Sequence, residues 1–159
     1  MSQFINLNQN INNILLEIIS NQRLCKFISC KHPINDPDIE DTTSLLFNNV
    51  FPFFKIPDIA DKTTSYLNVY FSNFQLSRAN TGIKAGTITF DVLCHVDWWK
   101  IDGHESYRPF EILHEIETMI NDQRIVGLKK AVFDGCRPCV PNSDFNGYTI
   151  NYAITSGNV

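Results

Sequence analysis

The sharpest chemical spacing in the chain is Cys136-Arg-Pro-Cys139. Two thiols at this spacing supply half of a zinc site or a redox pair, and a cation such as Arg137 beside them favours the thiolate. Zinc needs two more ligands, for which Cys25, Cys30, His32, Cys94 and His95 are available, none of them repeating the spacing. A thioredoxin-like pair must open a helix, whereas Pro141 and Asn142 follow here. The expectation is a reduced turn. His114-Glu115 with the two cysteines invites comparison with zinc nucleotide deaminases, but their His-x-Glu and Pro-Cys-x-x-Cys spacings are both missing. Asp97, Asp102, His104 and Glu105 gather carboxylates and imidazole in one stretch, as acid–base work requires. No nucleophile elbow, Walker loop or dinucleotide fingerprint accompanies them, so a solvated loop is expected and no enzyme.

The pair Trp98-Trp99 is of a different kind. An aromatic side chain buries ~150–250 Å², and neighbours on a strand point to opposite faces. One ring enters the core, and the other needs a covering surface, either a loop of the same chain or another subunit.

These residues hang on a legible succession of elements. Ile11, Ile14, Leu15, Ile18 and Ile19 fall at helical spacing and predict a first helix over about 9–28. An irregular segment over about 29–62 follows, broken by Pro33, Pro37, Pro52 and Pro57, with Thr42 or Thr43 as cap of a short helical turn. From Ser65 the period becomes two: Leu67, Val69 and Phe71 oppose Tyr66, Asn68 and Tyr70. Ile88, Phe90, Val92, Cys94 and Val96 then oppose Thr87, Thr89, Asp91, Leu93 and His95. The two runs read as an antiparallel hairpin whose long loop, Gln75 to Gly86, is an arm able to reach a neighbour. Pro109 opens a second helix that buries Ile112, Leu113, Ile116, Met119 and Ile120 and stops at Asn121-Asp122. Strands around 125–134 and 148–155 close the sheet. The predicted class is α+β: a single mixed or antiparallel sheet with a long β-hairpin and two main helices on one face, one domain over 1–159, its sheet and second helix within about 63–155.

Composition narrows function. A chain of 159 residues, 43% hydrophobic and 19% charged, buries a core without staples, and its five cysteines are an odd number, so reduced thiols are expected. The net charge is −4 and the 13 basic residues are scattered, which disfavours a nucleic-acid-binding face. No apolar run nears the ~20 residues that span a bilayer, and the N-terminus reads neither as a signal peptide nor as an anchor.

The N-terminal amphipathic helix, the long hairpin, Arg108-Pro-Phe-Glu-Ile-Leu-His-Glu-Ile-Glu-Thr-Met-Ile, a further strand and the closing Gly147-Tyr-Thr-Ile-Asn-Tyr-Ala-Ile resemble the head–tail neck proteins of tailed bacteriophages, and within them most resemble the tail terminators. The resemblance covers most of residues 9–155. It implies a virion protein assembled in the host cytoplasm, a homohexameric ring that caps the tail tube and meets the head-side connector, with DNA passing through unbound. It implies no cofactor and no metal. Interface candidates are Trp98 and Trp99 with Arg78, Asn80, Ile83 and Lys84 of the hairpin. The alternatives are a head-side adaptor or a small zinc or thiol protein built on Cys136 and Cys139.

Overall fold

The computed structural model describes residues 3–59, 63–76, 83–121, 123 and 130–157. The order is α1 (Gln3–Ser20), α2 (Gln22–Ser29), a 3-10 turn (Thr42–Leu45), β1 (Val50–Phe51), β2 (Ser65–Leu76), β3 (Ile83–His95), a second 3-10 turn (Val96–Trp98), α3 (Arg108–Ile120), β4 (Val132–Cys139) and β5 (Phe145–Gly157). The strands form one mixed sheet in the order β1-β2-β3-β5-β4, parallel only between β1 and β2. This is the expected α+β class, with three helices in place of two.

The first helix breaks because Asn21 caps a new one. Its side chain accepts from the Leu24 N–H at 3.0 Å and satisfies a donor that a helix start leaves free. Ile14, Leu15 and Ile18 of α1, Leu24, Phe27 and Ile28 of α2, and Ile112, Ile116 and Ile120 of α3 bury one apolar stripe each. All three stripes meet the face of the sheet that carries Leu67, Val69, Ile88, Phe90, Val92, Ile150 and Tyr152. The period-two reading therefore holds through β2, β3 and β5. In the 3-10 turn of the irregular segment the cap is Asp41, not Thr42 or Thr43; its carboxylate accepts from the Thr43 N–H at 3.1 Å.

Two boundaries differ from expectation in a way that matters. Of the stretch expected to be loop, Gln75 to Gly86, residues 77–82 lie outside the described residues and both ends are paired strand, with Leu76 opposite Lys84 and Phe74 opposite Gly86. Gly86 is there for closeness: a Cβ on it would lie 2.6 Å from the Asn73 carbonyl oxygen, beside the register shift between Phe71 and Asn73. In the other direction, β3 ends at His95. Val96, Asp97 and Trp98 form a turn, so the two tryptophans do not alternate on a strand.

The second face of the sheet is also covered. Phe51, Tyr66, Leu93 and Phe145 form a small apolar cluster there. The segment that follows β1 crosses this face as a strap: Asn68 Nδ2 donates to the Lys55 carbonyl at 3.0 Å, Phe54 packs edge-on against Tyr70, and Asn142 Nδ2 donates to the Pro57 carbonyl at 2.7 Å. The part of the irregular segment after β1 is thus the second layer.

Candidate functional site

The interface candidates divide into three groups. Arg78 and Asn80 lie outside the described residues, while Ile83 and Lys84 are the first residues of β3. Trp98 and Trp99 are half-buried. The Trp98 ring stacks under the Arg108 guanidinium, 4.8 Å from its carbon, and the Trp99 indole donates to the Asn146 carbonyl at 3.0 Å while packing on Phe110 and Tyr148. Each ring has its own partners within the chain, which the turn makes possible and a strand would not.

Arg108 is the reason that corner is rigid. It is 1% exposed, and it donates from Nη1 to the carbonyls of Phe27 (2.5 Å) and Cys30 (2.8 Å), from Nη2 to that of Lys31 (2.9 Å), and from Nε to that of Trp98 (2.9 Å). Burial lowers its pKa. Carbonyls at the negative end of α2 replace the missing carboxylate partner. Sequence reasoning took Arg108 only as the residue before a helix-opening proline, because nothing local marks a buried arginine.

The thiol motif is strand, not turn. Cys136 pairs opposite Ile150 and Cys139 opposite Gly147, so three residues of pleat put the two side chains on opposite faces of the sheet. Cys139 packs against the second-face cluster, and Cys136 is exposed. Burial raises both pKa values, against the lowering expected beside Arg137. Gly135 and Pro138 both lie within β4. They are tolerated because β4 is the outermost strand, where a missing N–H costs no pairing. Among the described residues no three His, Cys, Asp or Glu side chains converge as metal ligands.

The acid–base stretch does not converge either. His95 lies 3.7 Å from Asp97, whereas His104 lies 3.9 Å from Glu111 on α3, which also accepts from Ser106 Oγ at 2.5 Å. Asp102, His104 and Glu105 are exposed. An open groove of about 530 Å³ beside α2 includes Arg23, Lys26 and Asp38, but its charges are already paired, Arg23 with Glu115 at 2.7 Å and Lys26 with Asp38 at 3.4 Å.

The densest polar geometry lies on the second face. Asn68, Asp91, Thr149 and Arg137 form one cross-strand row. Asp91 is 1% exposed; its Oδ1 accepts from Thr149 Oγ1 at 2.6 Å. In the next row Thr89 Oγ1 lies 2.7 Å from both Asn151 Oδ1 and Ser72 Oγ; since the amide oxygen only accepts, Thr89 donates to it and receives from Ser72. Burial, and then the Asp91 carboxylate nearby, push the Tyr70 phenol up to about 12. This network orders the sheet and presents no nucleophile to solvent.

What remains open to a partner is of another character. Among the described strands β4 is the outer edge; its Phe133 N–H donates to Asn121 Oδ1 at 3.1 Å, and Val132, Phe133 and Val140 are exposed next to it. On the opposite side, β1 pairs with β2 only at Leu67 and Asn68, so among the described strands the outer half of β2 has a free edge. Among the described residues no helix is long and apolar enough to cross a membrane.

A protein-family model described as YomW matches residues 21–154, which takes in every element from α2 to most of β5. No curated protein matches the chain.

Proposed function

The chain belongs to the YomW family, a phage-type protein family, and from that premise we propose that it is a structural protein of the phage neck: a tail terminator that caps the tail tube as a homo-oligomeric ring. In this reading its partners are copies of itself, the tail tube protein and the head-side connector, and it catalyses nothing. The observation that carries the reading is the pair of outer edges that the described strands leave on opposite sides of one sheet, at β4 and at the outer half of β2. A ring is built from head-to-tail contacts between two different surfaces of each subunit, and one sheet with two distinct open edges supplies them. A net charge of −4 suits a passage through which DNA slides without sticking.

Negative-stain microscopy of the purified protein tests this, with rings as the expected outcome. Shortening the hairpin within residues 77–82 is expected to abolish rings and leave the far-ultraviolet circular dichroism unchanged. Trp98 and Trp99 make poor test positions, since each packs within the chain and its loss disturbs the fold. A particle that stays monomeric at high concentration, and that does not bind isolated tail tubes, overturns the proposal.

A further inference from the structure

We infer that the second face of the sheet holds an alkali cation between Asn68 and Asp91, beneath the strap. This site lies apart from the sheet edges that a ring would use, and its occupancy does not depend on whether the chain forms one.

Asn68 of β2 stands directly opposite Asp91 of β3, and the two residues are 0% and 1% exposed. Side chains paired in this way, on one face of a sheet, start from Cβ atoms roughly 5 Å apart. Asn68 Nδ2 donates to the Lys55 carbonyl of the strap at 3.0 Å, and Asp91 Oδ1 accepts from Thr149 Oγ1 at 2.6 Å. The remaining pair of atoms, Asn68 Oδ1 and Asp91 Oδ2, are both acceptors, and among the described residues neither has a donor. Turning the amide over mends nothing, because its oxygen would then face the Lys55 carbonyl oxygen. A buried acceptor without a donor is costly, and two on facing residues repel one another as well. Whatever lies between them must carry positive charge or donate twice.

Charge selects a cation. Among the described residues no lysine, arginine or histidine lies within ion-pair distance of the Asp91 carboxylate. Arg137 stands at the far end of the same row and is exposed, and the Lys55 ammonium sits 5.9 Å from the centre of the Phe51 ring. A water would supply both hydrogen bonds but leave a full negative charge inside the protein. A cation answers both acceptors and the charge together. Its class follows from the donors, which are one carboxylate and neutral oxygens: the Asn68 amide and the phenol of Tyr70. Burial, and then the Asp91 charge beside it, push that phenol up to about 12, so it takes part as a neutral group. Hard oxygen donors disfavour the transition metals, and a single negative charge balances a monovalent ion, where calcium gathers several carboxylates. Bound there, the ion fixes the Asn68 amide that ties down the strap.

The test is the thermal midpoint of the whole protein in sodium, potassium and choline chloride at equal ionic strength. Sodium or potassium is expected to raise the midpoint by roughly 5 °C in a saturating manner, and choline, whose charge is shielded by methyl groups, to leave it where it was. Asp91→Asn keeps the shape, removes the charge, and is expected to respond to the three salts alike. Rubidium chloride soaked into crystals of the wild type gives a reading that needs no variant, with an anomalous scattering peak expected between Asn68 and Asp91. Equal midpoints in all three salts overturn the site, as does a density peak there without anomalous signal, which is a water. A response to calcium chloride but to neither alkali ion overturns the class of ion. If Asp91→Asn is more stable than the wild type by the same amount in every salt, a proton stands in the ion's place and the proposal fails.

Discussion

Arg108 shows how a single side chain can organise a corner of the molecule. Its four carbonyl acceptors come from the end of α2 and from the turn after β3, and the side chain itself opens α3. Replacing it with methionine keeps much of the volume and removes every donor, leaving buried carbonyls short of partners. We expect Arg108→Met to cost on the order of 3 kcal/mol in urea unfolding, and a loss under about 1 kcal/mol would mean that the carbonyl cage is dispensable. The buried acids make a second prediction. Burial pushes Cys25 up to about 11 and Cys94 to about 12 from an ordinary thiol value of 9.0, and Tyr70 to about 12 from 10.0. In the unfolded chain these groups lose their protons first, so alkali stabilises that state. The folded state keeps its full advantage below about pH 9 and loses it as pH rises toward 12. Unfolding free energy measured at stepped pH should fall through that window, and Cys94→Ala should flatten part of the slope. A profile that is level from pH 9 upward would count against the burial of these groups.

At the scale of elements, legibility followed side-chain period. Strands β2, β3 and β5 and helix α3 alternate or repeat cleanly, because one face of each meets the core under the helices. The parts that escaped reading are held by backbone. Ile83 to Gly86 looks like linker because lysine, alanine and glycine have no face, yet it pairs with both Leu76–Phe74 and β5. Cys136 to Cys139 looks like a turn because of its proline and glycine neighbour, and it is strand because the edge of a sheet forgives both. Buried Asp91 was assigned correctly to the second face, but no periodicity announced that an irregular segment would cover it. The same backbone closeness gives a prediction at Gly147. A Cβ there would collide with the Val92 carbonyl oxygen across the β3–β5 pair, and neither backbone can yield without breaking register. Gly147→Ala is expected to lower stability by about 1–3 kcal/mol, seen as a lower thermal midpoint. At Gly135, where a Cβ meets nothing within 4 Å, the same substitution serves as the control.

For the molecule as a whole, the N-terminal third wraps the rest. Helices α1 and α2 lie on one face of the sheet, and the strap from the end of β1 lies on the other. An apolar run cut by Pro52 and Pro57 signals neither helix nor strand, and only the hydrogen bonds of Lys55 and Pro57 show that it crosses the second face. The order β3-β5-β4 has a further consequence, one of time. Because β5 sits between β3 and β4, no nascent chain that ends before residue 145 can seat β4, and until β5 is in place the β3 edge is unpaired. Pairings such as Asp91 with Thr149 span 58 residues, so closing them is slow compared with forming the helices. During synthesis the early helices therefore wait beside an unfinished sheet, and the ribosome has nearly finished residues 21–154 before the core can set.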